Sequence, residues 1–192
     1  MILSDKTIKK FMSKGMLIKP QSKFHIAGCI QPASYDFRLG NTFKIPRKTD
    51  QVIDPISDKS VHKYSNLLAE TFVIEPHSFV LATTMERVIL PDNVTAFVEG
   101  RSSIGRLGLF IQNAGWVDPG FDGHITLELF NASPNSIALK SGMRIAQCVF
   151  CMTDIPVEIP YSGKYQNQVE ATESRIYCDD DKRDWGKTQC NL

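Results

Sequence analysis

The chain has 192 residues, 42% of them hydrophobic and 22% charged, with a formal net charge of +1. That length suffices for one domain with a proper core, and the composition is ordinary for a soluble globular protein. The near-zero charge gives no basis for bulk binding to nucleic acid or a membrane surface. No apolar run reaches membrane-spanning length and the first residues lack the apolar core of a signal peptide, so the cytoplasm is the simplest location.

In chain order, Ser4 is placed to cap a first helix, with Ile8, Phe11 and Met12 as its apolar stripe and Gly15 at its end. Residues 16–20 read as a short strand. The alternating run from Tyr35 to Gly40 closes in a Gly-Asn turn, with Tyr35 and Phe37 as core residues and Asp36 and Arg38 as an ion pair. Residues 46–66 are polar, carry Pro46 and Pro55, and read as a long loop or a hairpin arm. Strands follow at 72–74 and 79–82 around the turn Glu75-Pro76-His77-Ser78, then at 88–90, 95–98, 107–112, 137–139 and 144–152. Many short strands punctuated by turns predict an all-β sandwich or closed barrel. Beyond Pro160 the chain is polar, and the charge run from Cys178 to Asp184 reads as a solvated or flexible tail.

The five cysteines, Cys29, Cys148, Cys151, Cys178 and Cys190, are odd in number and irregular in spacing, which predicts free thiols. Cys148 and Cys151 form the one C-x-x-C. They sit in an apolar strand-like run, where positions three apart point to opposite faces.

Residues 99–131 concentrate the chemistry. In Arg101-Ser102-Ser103-Ile104-Gly105-Arg106 the arginines offer planar donor forks suited to phosphate oxygens. Ser102 or Ser103 is placed to cap a short helix, and Ser102 and Arg106 share one face of a helical turn. Taken alone, the hexapeptide also reads as an ordinary capped surface turn. Val117-Asp118-Pro119-Gly120-Phe121-Asp122-Gly123 carries two strong turn signals and leads into His124-Ile125-Thr126-Leu127-Glu128-Leu129-Phe130. In that strand Ile125, Leu127 and Leu129 share one face, and His124, Thr126, Glu128 and Phe130 the other. With both faces covered, Glu128 has a raised pKa and exchanges protons near neutral pH; on a half-exposed strand it is an ordinary solvent-facing Glu.

Together, Arg-Ser-Ser-x-x-Arg (101–106), Ala-Gly-Trp-Val-Asp-Pro-Gly-Phe-x-Gly (114–123) and Thr-Leu-Glu (126–128) closely resemble the dCTP deaminase family of the dUTPase-like superfamily. The resemblance extends to Pro32-Ala33-Ser34-Tyr35-Asp36-Phe37-Arg38-Leu39-Gly40. It continues through Gly142-Met143-Arg144-Ile145-Ala146-Gln147 to Gly163-Lys164-Tyr165-Gln166-Asn167-Gln168. These motifs run in the family's order over most of the chain. The resemblance implies a mostly β, distorted jelly-roll-like barrel over residues 1–160, with a short N-terminal helix and few others. Residues 161–192 are then a C-terminal arm that closes over a nucleotide.

The resemblance also implies roles. Glu128 matches the catalytic acid/base, which takes a proton from the water attacking C4 of cytosine and returns protons to the ring nitrogen and the leaving ammonia. Ser102 matches the residue that holds the water, and Arg106 the one that supports it electrostatically. Arg101 to Arg106 as a block lines the nucleotide, with Ser103 as a phosphate donor. Asp118 matches an Asp beside the deoxyribose that, in dUTPases, activates a hydrolytic water. Thr126 and Leu127 contact the nucleotide, and Gln147, Tyr161, Lys164 and Gln168 its phosphates. Mg²⁺ accompanies the triphosphate, held by phosphate and water oxygens. Zinc is not expected: base deaminases that use it carry H-x-E and P-C-x-x-C, whereas none of His25, His62, His77 and His124 precedes x-Glu and Cys148 follows Gln147. A homotrimer with sites between subunits, and inhibition by dTTP, are also implied.

Purely deaminating members carry Thr-Ala-His-Arg-Ile-Asp where this chain has Asn113-Ala114-Gly115-Trp116-Val117-Asp118. Ala-Gly before an aromatic is similar to the bifunctional members, which release diphosphate to give dUMP for thymidylate synthesis. The run from Arg106 to Asp118 is one residue shorter than in most members. The expected activity is therefore deamination of dCTP, with or without onward hydrolysis to dUMP. A dUTP diphosphatase without deaminase activity, and a non-catalytic nucleotide sensor, are the alternatives. Retention of Glu128 speaks against the first, and of Glu128 and Asp118 against the second. Trp116 either packs in the core or walls the base pocket.

Overall fold

The computed structural model describes residues 1–19, 28–53, 63–111 and 115–178. His25, His62, Cys190, the middle of the 46–66 stretch, residues 112–114 and the charged tail beyond 178 lie outside the described residues.

Helix α1 (Asp5–Met12) begins after Ser4, with Asp5 in its first turn and Lys9 and Lys10 in its last, as the helix dipole favours. Ser4 occupies the cap position, yet its side chain makes no capping bond. Ile8 is fully buried, and Phe11 and Met12 pack partly against the core.

The strands are β1 (Leu17–Lys19), β2 (Ile30–Gln31), β3 (Ser34–Pro46), β4 (Tyr64–Leu68), β5 (Thr71–Ile74) and β6 (Phe79–Ile89), followed by β7 (Val94–Gly100), β8 (Leu109–Ile111), β9 (Trp116–Val117), β10 (Asp122–Asn131), β11 (Ile137–Lys140) and β12 (Arg144–Met152). A four-residue helix, α2 (Ser102–Gly105), links β7 to β8. Ten strands form one curled antiparallel sheet in the order β8-β10-β6-β3-β12-β7-β9, with β1 on β6 and both β2 and β4 on β3; β5 and β11 pair separately. This is the mostly β, distorted jelly-roll-like architecture expected from the sequence. No helix among the described residues is long and apolar enough to cross a membrane. Cys29, Cys148, Cys151 and Cys178 are in no disulfide, as the sequence predicts.

Strand β3 differs from its expectation. It does not turn at Gly40-Asn41 but runs on to Pro46. Its first half pairs with β2 and β12, its second with β4 and β6, and its register on β6 shifts between Leu39 and Phe43. The strand thus turns the corner between the two halves of the sheet. Gly40 serves this corner by close approach: a Cβ there would lie 2.7 Å from Thr83 Cγ2. The predicted strands at 79–82 and 88–90 are likewise one continuous β6, because β10 flanks it along its length while β3 and then β1 pair with its other edge. The polar 46–66 stretch is, at its end, the hairpin arm β4.

Tyr35 and Phe37 are core residues, fully buried with Leu39, Phe43, Leu127, Leu129 and Phe150. The expected Asp36–Arg38 pair does not form. Arg38 donates through Nε to Glu86 Oε1 at 2.6 Å and through its backbone N–H to Glu86 Oε2 at 2.9 Å. Asp36 instead meets Arg101 and Arg144, each at 3.2 Å. Residues two apart along a strand are separated by about 6.6 Å, whereas cross-strand neighbours sit about 5 Å apart, so partners on adjacent strands win. Glu86 is wholly inaccessible and Arg38 nearly so. Burial pushes the Glu86 carboxyl upward and the Arg38 guanidinium pulls it back.

A buried pair of this kind is costly to break and inexpensive to replace whole. Glu86→Ala, which strands the guanidinium, should lower the unfolding free energy in urea by about 3–5 kcal/mol. The double change Arg38→Met, Glu86→Leu should lose much less.

Candidate active site

Strand β10 alternates strictly between buried and half-buried residues from Asp122 to Asn131. Leu127 and Leu129 face the core, while Thr126 and Glu128 face a cleft of about 460 Å³. The floor of the cleft comes from β10 and the neighbouring β6, one side from Tyr64 on β4, and the other from Gly115 to Asp118 around β9. Tyr161, Tyr165, Gln168, Thr172 and Ser174 of the C-terminal segment cover it.

Burial raises the Glu128 carboxyl above its ordinary range. The Tyr64 hydroxyl is also raised, by burial first and then by the Glu173 and Glu128 charges. Asp118 is exposed at the rim, where its Oδ1 accepts the Trp116 indole N–H at 2.8 Å. Trp116 is therefore part of the cleft wall and not of the core. Gly115 lets β9 lie close to β7, since a Cβ there would sit 2.4 Å from the Val98 carbonyl oxygen.

The C-terminal segment is fastened to its own barrel over this cleft. Tyr161 N–H donates to Pro119 O at 2.8 Å and Asn167 N–H to Asp122 O at 2.7 Å. His124 N–H donates to Gln168 O at 2.9 Å, and Gln168 Nε2 returns a bond to His124 O at 2.6 Å. Thr172 N–H donates to Thr126 Oγ1 at 3.0 Å, and Lys44 pairs with Glu173. The Gln168 Oε1 atom is buried with no partner.

Of the residues singled out in the sequence, Asp118, Thr126, Glu128, Tyr161 and Gln168 therefore meet in the cleft. The Leu127 side chain is fully buried in the core. Lys164 lies outside the lining, its ammonium 5.5 Å from the Tyr165 ring centroid. Arg101, Ser102, Ser103, Arg106 and Gln147 do not line the cleft either. Arg101 sits at the β3–β12 end, donating to Arg144 O at 3.1 Å and pairing with Asp36. Gln147 stands beside it, in register with Glu99 and Asp36. Buried Ile104 anchors α2, leaving Ser102, Ser103 and Arg106 exposed. Neither serine caps that helix; Arg101 holds the cap position and no side chain bonds there. Tyr64, Thr172 and Ser174 were not singled out, because they lie in polar stretches with no periodicity or motif to mark them.

The cleft's electrostatics are lopsided. It holds two carboxylates, and no Lys, Arg or His among the described residues lines it.

Residues 2–153 match the family profile described as dCTP deaminase-like. The chain is 51% identical over 184 residues to the dUMP-forming dCTP deaminase of Sulfurihydrogenibium sp. (strain YO3AOP1), covering 94% of this chain and 100% of that protein. It is 50% identical to the dUMP-forming dCTP deaminase of Aquifex aeolicus (strain VF5), covering 94% and 98%. The solved 2'-deoxycytidine 5'-triphosphate deaminase from Agrobacterium tumefaciens shares the fold, with a TM-score of 0.65 at 22% identity over 79% of this chain and 48% of that one.

The buried setting of Glu128 has a measurable cost. A carboxyl with a raised folded pKa binds its proton more tightly in the native state, so stability falls as pH rises from the ordinary carboxylate range through the raised value. Glu128→Gln should therefore raise the unfolding free energy at neutral pH. The gain should vanish once the pH drops below the ordinary carboxylate range, as thermal unfolding followed across pH will read.

Proposed function

The chain belongs to the dCTP deaminase-like family, and we propose that it deaminates dCTP and carries the product on to dUMP and diphosphate in one cleft. The observation that carries this reading is Glu128, a half-buried carboxylate of raised proton affinity facing the cleft. A second carboxylate, Asp118, lies within the same walls. The two relatives compared above bear the name dCTP deaminase, dUMP-forming, and this chain has both carboxylates that such a sequence of steps needs.

In the first step a water oxygen adds to C4 of cytosine while Glu128 takes the water's proton and delivers it to N3. Glu128 then moves the remaining hydroxyl proton to the amino group. The C4–N bond breaks, and ammonia leaves dUTP behind. A base whose pKa lies nearer the working pH does both halves of this task better than an ordinary Glu. In the second step Asp118 takes a proton from a water that adds to the α-phosphorus; the bond to the bridging oxygen breaks and diphosphate leaves dUMP. Thr126 on β10, with the β10 backbone around Leu127, is proposed to read the base, and Tyr161 and Gln168 to close over the nucleotide from the arm formed by residues 161–192.

A cleft with two carboxylates and no lining cation does not hold a triphosphate by itself. We propose a homotrimer in which Arg101, Ser102, Ser103, Arg106 and Gln147 of a neighbouring copy complete the site. Ser102 would hold the attacking water and Arg106 would support it. Lys164 adds a charge from the arm. Mg²⁺ is proposed to arrive on the triphosphate, held by phosphate and water oxygens; it shields the phosphate charge when bound. Among the described residues no three His, Cys, Asp or Glu side chains gather as a metal site. dTTP, with the same sugar and triphosphate, is the proposed inhibitor, and the cytoplasm the proposed location.

Incubation with dCTP and Mg²⁺ should yield ammonia, dUMP and diphosphate without free dUTP; turnover of dUTP but not dCTP would sink the deaminase reading. Glu128→Gln should release no ammonia. In the native enzyme, ammonia release should fall as pH drops through the raised Glu128 pKa, because the base form is lost.

The shared site has its own test. Glu128→Gln and Arg106→Ala should each be inactive alone. Mixed in equal amounts and reassembled, they should recover about a quarter of wild-type activity, as random pairing of complementary halves requires. No recovery would place each site within one subunit.

A further inference from the structure

We infer that Trp116 is the positioning residue for Asp118 in diphosphate release, and that it governs whether the reaction stops at dUTP. This rests on the reading that Asp118 activates the second water. Trp116 and Asp118 are two apart around β9, so both side chains leave the chain on one face. The indole Nε1–H donates to Asp118 Oδ1 at 2.8 Å. Among the described residues no other side chain donates to that carboxylate, which leaves Oδ2 without a protein partner. An indole N–H is a donor only; it orients a carboxylate but exchanges no proton with it.

The ring that makes this bond is itself held. Trp116 stands directly opposite Phe97 in the β7–β9 register. The two rings meet edge to face, with centroids 4.6 Å apart and planes at 82°. Gly115 sets the distance between the two strands, as described above. Yet Trp116 remains 55% exposed and lines the cleft. A ring retained only for packing would have been sunk further into the core. The geometry is that of a bracket: one edge against Phe97, the N–H on Asp118, and an exposed part of the ring at the cleft. Loss of the N–H lets the Asp118 carboxylate turn about its side-chain bonds, so that its free oxygen no longer meets the water in one direction.

The test uses the full chain and reads ammonia and diphosphate release separately, from dCTP and from dUTP. Trp116→Phe removes the donor but also trims the ring. Replacement of Trp116 by β-(3-benzothienyl)alanine, which keeps the bicyclic shape and puts sulfur in place of N–H, isolates the hydrogen bond. Both variants should lower kcat for diphosphate release about 5- to 20-fold with KM changed less than about twofold. Free dUTP should then accumulate from dCTP. A benzothienyl variant with unchanged kcat and no accumulated dUTP would overturn the inference while leaving the two-step reading intact. So would an equal fall in ammonia and diphosphate release, which marks a packing role. If the native protein forms no dUMP from either nucleotide, the two-step reading falls and the role of Trp116 falls with it.

Discussion

The strict alternation of β10 is the constraint on which the molecule turns. One strand must supply Leu127 and Leu129 to the core and, at the intervening position, a carboxylate to the cleft. A slip of one residue would exchange these faces, burying Glu128 among apolar side chains and exposing two leucines. The register is held by β6 along most of the strand, by β8 at Leu129 to Asn131, and by the C-terminal segment at Asp122 and His124. The same neighbours that lock the register also half-bury Glu128. Fold and proton affinity therefore have one cause.

That coupling explains why the C-terminal segment is tied so thoroughly to its own barrel. Its bonds to Pro119, Asp122, His124 and Thr126 follow the turn and the first half of the strand that carries the candidate base. Were the segment to lift, β10 would lose a neighbour on one edge and Glu128 would be wetted. Its carboxyl would then relax toward the ordinary range, since burial is the cause of the rise. The raised proton affinity is a property of the closed arrangement.

Much of this was legible in the sequence, and the limits were physical. The alternation of residues 124–130, the Pro-Gly turn and the order of strands follow from period and turn chemistry, and the structure carries them. The corner in β3 was not legible, because Gly-Asn is a turn signal by composition, whereas Gly40 answers to the approach of Thr83 from a strand over forty residues away. The partners of Asp36 and Arg38 were hidden for the same reason: they lie on β12, β6 and the end of β7, and only the fold brings them near. Tyr64 entered the cleft from a stretch with no pattern at all.

The separation of charge is the deepest of these non-local effects. Along the chain, Arg106 and Glu128 lie only about two dozen residues apart and read as one site. In the folded chain α2 leaves Ser102, Ser103 and Arg106 exposed, while β10 turns Glu128 into the cleft. No arginine among the described residues lines the cleft, so within the chain nothing offsets the rise that burial gives the Glu128 carboxyl.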